Sequence, residues 1–123
     1  IVKLPKFPSA QMPEVVAGAH VIVVPQRDTP AAQAQFPLKL TDGMAMGKPI
    51  LATRVGDIPS IVKDAGFLVD ASAPEQIAIA IERIFEDFSV AEQLGMQAGK
   101  RCIQHYSIEA MAAAIAPLLA RFN

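Results

Sequence analysis

The sequence predicts an α/β domain built on a doubly wound parallel sheet with flanking helices and ending in a helical segment. Three observations carry this. The β-branched run HVIVVP (His20–Pro25) is continuous rather than alternating, as in strands buried on both faces of a parallel sheet. Two further short runs, PILATRV (Pro49–Val55) and GFLVD (Gly66–Asp70), follow with helical stretches between them, and strand–helix–strand–helix–strand at this spacing is how such a sheet reads. From Ser72 onward the chain reads as helix, which divides it into an α/β part, residues 1–71, and a helical part, residues 72–123.

IVKL (Ile1–Leu4) opens as a strand candidate cut short by Pro5 and Pro8. Met12 to Gly18 reads as a short helix, with Pro13 tolerated near its start and Gly18 as its stop. Gln26 to Gln35, QRDTPAAQAQ, is polar and rich in turn formers and reads as a loop. Leu38 to Met46 reads as a helix that Gly47-Lys48-Pro49 breaks. Pro59 to Lys63 gives a helical turn between the second and third strands. Ser72-Ala73-Pro74-Glu75 has the spacing of a capping box, and Ile77, Ile81, Ile84 and Phe85 behind it fall on one helical face. Ser89-Val90-Ala91-Glu92 repeats the box. Ser107 is expected to cap the last helix, whose stripe is Met111, Ile115, Leu118, Leu119 and Phe122 and which Pro117 should kink.

With 123 residues, 52% hydrophobic and 19% charged, the chain is long enough for one domain with a real core and lacks the composition of a disordered segment. Its 11 Lys and Arg against 12 Asp and Glu form no basic block, which argues against an electrostatic nucleic-acid surface. The single cysteine, Cys102, excludes an internal disulfide and fits a reducing compartment, so the expected location is the cytoplasm. No apolar run approaches the ~20 residues of a membrane-spanning helix. The opening IVKLPKFPSAQMPE does not read as a signal peptide, and its start without Met in an apolar stretch reads as a piece of a longer protein.

Several chemistries have no motif here: there is no Gly-x-Gly-x-x-Gly, Walker loop, Cys/His metal cluster, or Ser or Cys nucleophile in a recognisable setting. His20 and His105 are isolated and Cys102 lies within a helix, so structural roles are the better readings. Arg54 and Asp57 fall near the carboxyl end of the second strand, where α/β sheets place ligands, but a solvated arginine and a turn-forming aspartate are the better readings. The stretch FPLKLTDGMAMGKPILAT (Phe36–Thr53) is different. A loop leaves the carboxyl end of HVIVVP and the chain turns into a helix near Pro37. The amides of Leu38, Lys39 and Leu40 are then expected as unpaired donors at the positive end of a helix dipole, an anion site to which Lys39 adds its charge. Asp42, one turn in, can accept from two vicinal sugar hydroxyls. Diphosphate on the amides with ribose on the acid is a nucleotide geometry. The competing reading has Asp42 complementing the dipole only, worth ~0.3–1 kcal/mol, and the residues by themselves leave the two balanced.

The segment PLKLTDGMAMGKPILATRVGDIPSIVKDAGFLVD resembles the donor-binding segment of the GT-B glycosyltransferases of family 4 (group 1). Their pattern is roughly Pro-Leu-Lys-Leu-x-Glu-x-Met-Ala-x-Gly-Lys-Pro, a strand ending in Ala-Thr, then Val-Gly-Gly-Ile-Pro-Glu-Ile-Val. The resemblance runs upstream through AGAHVIVVP and downstream through SAPEQIAIAIERIF and AEQLGMQAGKRCIQHYSIEAM, nearly the whole chain. It implies part of a Rossmann-like C-terminal domain that binds a nucleotide-diphosphate sugar, with an acceptor-binding N-terminal domain absent from this chain. The parent activity it implies is retaining, metal-independent hexosyl transfer, with the NDP-sugar as donor substrate and no cofactor besides. Carried over position by position, it implies that the amides of Leu38, Lys39 and Leu40 cradle the pyrophosphate, that Thr41 belongs to the same stretch, and that Asp42 stands where the family has a ribose-binding glutamate. No catalytic residue and no metal ligand is assigned.

The chain also departs from the family pattern. Asp42 is one methylene shorter than glutamate. Ala34 stands where many members place a second glutamate against the donor sugar, with Gln33 or Gln35 as nearby polar replacements. Gly43 follows Asp42, and Asp57 replaces the second glycine of Val-Gly-Gly. An arginine and a lysine that hold phosphate from an earlier part of the domain have no counterpart, so the chain alone is expected to be inactive. Two other readings stand beside transfer: a non-catalytic Rossmann-like binding or assembly module, and a GT-B sugar-nucleotide epimerase. Peripheral attachment to the inner face of a membrane, common in the family, is left open.

Overall fold

The computed structural model describes residues 1–122. Residues 1–8 are exposed and carry no regular structure, so Ile1–Leu4 is not a strand: Pro5 and Pro8 withhold ladder donors, and none of the three strands lies beside them. A 3-10 turn at Ser9–Gln11 leads into α1 (Met12–Ala17) and then β1 (Ile22–Val24). The segment read as a loop contains a short helix, α2 (Pro30–Ala34): Thr29 Oγ1 accepts from the Ala32 amide at 3.2 Å and Pro30 takes the first turn. Thr-Pro is an N-cap followed by an N1 proline, so the signal was present in the sequence. There follow α3 (Leu38–Ala45), β2 (Ile50–Thr53), α4 (Ile58–Val62), β3 (Phe67–Val69), α5 (Pro74–Glu86), α6 (Phe88–Tyr106) and α7 (Ile108–Leu119).

The strands form one parallel sheet in the order β1-β2-β3, with Ile22 opposite Ile50 and Thr53 opposite Val69. All four residues of the central β2 are buried, and their side chains alternate between two cores. Ile50 and Ala52 join Val24, Leu40 and Met44 of α3, three residues of α4, and Ala98 and Cys102 of α6. Leu51 joins Val69, Ala80 and Ile84 of α5, and Ala91. This is the expected α/β fold with helices on both faces of a parallel sheet. β1 departs from its reading as a strand buried on both faces. Val23 is 40% exposed, because α5 lies against β2 and β3 and leaves the second face of β1 open.

The helix boundaries correct both capping boxes. Ser72 adopts a left-handed φ of 57° and makes no cap; Ala73 is the N-cap residue, without a side-chain bond, and Pro74 sets the first turn. The turn is held instead by Gln76, whose Oε1 accepts from the Asp70 amide at 2.9 Å and whose Nε2 donates to Asp70 Oδ2 at 3.0 Å. For α6 the cap is Asp87, whose Oδ1 accepts from the Val90 amide at 3.4 Å and from Ser89 Oγ at 2.8 Å. Ser107 caps α7 as expected, accepting from the Ala110 amide at 3.1 Å. The stripe expected on that helix is Met111, Ile115, Leu118, Leu119 and Phe122; each is exposed, so it packs on neither core. Pro117 lies inside α7, two residues before its end.

Packing is tightest where α6 crosses the end of α3. A Cβ on Gly95 would sit 2.5 Å from Gly47 O and 2.7 Å from Lys48 C, and one on Gly99 would sit 3.2 Å from Met44 O. On the other side of α3, a Cβ on Gly43 would come within 2.9 Å of Ile22 Cγ2, which accounts for a poor helix former at that position. Lys48 Nζ donates to Ala17 O at 2.6 Å, tying α1 to the same turn.

Gly95→Ala should destabilise the protein by about 3 kcal/mol or more, read as a lower urea midpoint at unchanged slope, because the methyl meets backbone and not a mobile side chain. Ser72→Gly should leave stability unchanged or raise it by up to about 1 kcal/mol, whereas a capping serine would lose stability on the same change. The Asp70 carboxyl is held below the usual range, first by the Gln76 amide and then by the Arg54 guanidinium. A depressed folded value contributes stability that is present above the unfolded value and lost as pH falls through the folded one. In a carboxyl NMR titration, Gln76→Ala and Arg54→Gln should therefore each raise the Asp70 midpoint.

Candidate functional site

β1 ends at Val24 and delivers the next loop to the carboxyl edge of the sheet, where α/β folds bind ligands. The loop is pinned there. Thr53, buried at the end of β2, donates its hydroxyl to Gln26 O at 2.7 Å, and the Thr29 amide donates to Arg27 O at 3.1 Å. Gly56, at a φ of 55°, lets the loop after β2 lie against α2; a Cβ there would stand 3.2 Å from Gln33 O. Between α2 and the start of α3 lies a cavity of about 550 Å³, lined by Gln26, Arg27, Thr29, Ala32, Gln35, Phe36, Pro37, Leu38 and Lys39. No Asp or Glu is among them.

The chain passes into α3 through Pro37, whose φ of −82° and ψ of 83° describe an inverse γ-turn. The Leu38 amide donates to Phe36 O at 3.0 Å, the Leu40 amide to Pro37 O at 3.0 Å, and the Thr41 amide to the same oxygen at 3.4 Å. Of the three donors expected to be unpaired, Leu38 and Leu40 are thus engaged by the turn, and Lys39 alone has no protein partner among the described residues. Leu40 is fully buried and offers its backbone only. Thr41 Oγ1 is turned back onto Leu38 O at 3.0 Å. The helix start carries no side-chain cap and no acid in its first turn.

Lys39 and Asp42 are both exposed, and neither is ion-paired; the pair among the described residues is Arg54–Asp70, at 2.9 Å. Asp42 does not line the cavity. It borders a separate hollow of about 340 Å³ with Ser9, Met12, Val16 and Met46, on the α1 side of α3. The structure therefore joins Leu38 and Lys39 in one cavity and sets Asp42 one turn along. Of the two polar replacements for Ala34, Gln33 is committed to Asp28 through Nε2 at 2.6 Å, and Gln35 lines the cavity. Asp57 is the N-cap residue of α4 but makes no side-chain cap bond. His20 is exposed beside Phe85 and Phe88, and Cys102 is buried, its thiol pushed up by burial and then by the charge of Asp42. In the sequence Arg27 is one polar residue of a loop; its place just past the strand's carboxyl end is the signal that marks it.

A parallel sheet wound on both faces, with a helix start and a cavity at its carboxyl edge, is the architecture of the Rossmann-like half of a GT-B glycosyltransferase. The profile of the family described as glycosyl transferases group 1 matches residues 2–87, and the chain belongs to that family. It is 32% identical over 93 residues to the D-inositol 3-phosphate glycosyltransferase of Corynebacterium diphtheriae, covering 74% of this chain and 21% of the relative. In structure it is similar to the sucrose-phosphate synthase of Thermosynechococcus elongatus, with a TM-score of 0.76, 30% identity, and coverage of 88% of this chain and 26% of that one. Anabaena HepE in complex with UDP shares the fold, with a TM-score of 0.74 at 19% identity over 91% of this chain and 30% of that one. The chain thus spans about a fifth of the length of the curated relative, 21%. No helix among the described residues is long and apolar enough to cross a membrane.

Proposed function

We propose that this chain is part of the donor-binding half of a retaining glycosyltransferase, which moves a sugar from a nucleotide-diphosphate donor to an acceptor held by a further domain in the cytoplasm. The observation that carries the reading is the cavity in front of α3: the unpaired Lys39 amide, the Lys39 ammonium and the positive end of the helix meet there with no carboxylate in the lining. The diphosphate lies against that helix start, and the Leu38 and Leu40 amides turn to it from the Phe36 and Pro37 carbonyls. The nucleoside lies along α3 towards the α1 side, its ribose hydroxyls donating to Asp42. The work asked of these groups is positioning and the stabilisation of charge on the departing diphosphate, so helix amides and cations suffice for it. A non-catalytic module of the same fold is the second reading, favoured by alanine at position 34, where many family members place a glutamate, and by a cavity lining without a carboxylate to face a donor sugar. That module and an epimerase would keep nucleotide binding and lose transfer.

Calorimetric titration of the full-length protein with UDP, GDP and ADP tests the site. One of the three should bind, and Asp42→Ala should weaken it about tenfold or more while Asp42→Glu retains it. Failure of all three to bind would sink the donor-site reading. Binding without sugar transfer from any of the matching nucleotide sugars would favour the module.

A further inference from the structure

We propose that Arg27 is a second cation of the diphosphate site, acting from the loop after β1 opposite the start of α3. The inference rests on the donor-site reading and adds to it a residue on a different element. Arg27 and Lys39 line the same cavity, and no acid lines it with them. Arg27 is exposed and forms no ion pair among the described residues, although an aspartate follows it in sequence; Asp28 accepts from Gln33 Nε2 instead. An unpaired surface arginine is ordinary in itself. What sets this one apart is that its backbone is held on both sides, by Thr53 on Gln26 O and by the Thr29 amide on its own carbonyl. The side chain therefore starts from a fixed point at the rim of the cavity. A guanidinium there can meet two phosphate oxygens at once, which an ammonium does as a point charge only. The diphosphate's negative charges would then face Arg27 on one side and Lys39 with the α3 dipole on the other.

The test compares the nucleoside diphosphate that binds among UDP, GDP and ADP with its parent nucleoside, on the full-length protein carrying Arg27→Gln or Arg27→Lys. Arg27→Gln should weaken the diphosphate about tenfold or more and leave the nucleoside unchanged. Arg27→Lys should recover part of the loss, and added salt should narrow the gap between wild type and Arg27→Gln. Unaltered diphosphate binding in Arg27→Gln, with Asp42→Ala still weakening it, overturns the role of Arg27 and leaves the donor site standing. Equal weakening of nucleoside and diphosphate overturns it too, since the effect would then be on the loop. If wild type binds none of the three diphosphates, the donor-site reading falls and takes this proposal with it.

Discussion

The contact of α6 with the end of α3 is the constraint on which the rest of this structure depends. Gly95 and Gly99 bring helix backbone against Gly47, Lys48 and Met44 with no side chain between. On the opposite side Gly43 lets α3 close onto Ile22 of β1. Each glycine inside a helix costs roughly 1 kcal/mol against alanine, and three are kept because a methyl at these points would drive the layers apart. α3 is consequently wedged between the sheet and α6, with Leu40 and Met44 filling the core at its buried face. α3 is only eight residues long, so these contacts set the direction of its axis. The glycines thus place the Lys39 amide, Gly43 from one turn along the same helix and Gly95 and Gly99 from α6.

The same logic explains why the helix start is shaped as it is. Proline at 37 cannot donate, and its dihedral angles fold the Phe36 carbonyl onto Leu38 in a three-residue turn. The chain can then switch direction from the cavity wall into α3 without a longer loop. The turn uses up two of the donors that an ideal helix would leave open and isolates the third. On the other side of the cavity, Thr53 and Gly56 hold the β1 loop and α2 in place, so the wall opposite α3 is fixed by backbone and by one buried hydroxyl.

These particulars show what can be read from the residues and what cannot. The strands around Ile50 and Phe67 are legible because short β-branched or aromatic runs flanked by Gly and Pro have few other places to go. The helix from Leu38 is legible from its apolar spacing and its Gly-Lys-Pro stop. Caps are harder: Ser89 competes with Asp87 for the first amides of α6, and at α5 Pro74 keeps Ala73 before it out of helical angles, so the helix starts one residue later than the box requires. α2 is hard to read because five residues give no periodicity, and α2 forms one wall of the cavity. The hydrogen bonds of the Leu38 and Leu40 amides depend on one ψ angle at Pro37, which no pattern reports. The stripe on α7 illustrates a different limit: periodicity shows that a face is apolar and says nothing of whether this chain covers it.

The electrostatics of α3 carry the argument for a ligand beyond its shape. α2, α6 and α7 each have a side-chain cap on their first amides, from Thr29, Asp87 and Ser107. α3 has none, as α1, α4 and α5 have none; of these four it is the one with a lysine in its first turn, against the positive end of the dipole, and it has no acid there. As a matter of stability alone this is the wrong charge at the wrong end. Lys39 and Asp42 stand at i and i+3, a spacing at which opposite charges commonly meet, yet they form no ion pair. One side of α3 therefore holds uncompensated positive charge over an acid-free cavity, and the other holds a free carboxylate beside a hollow. The proposed donor, with an anionic diphosphate and a hydroxyl-bearing ribose, would answer both at once, and its charge would convert an unfavourable helix start into a favourable one.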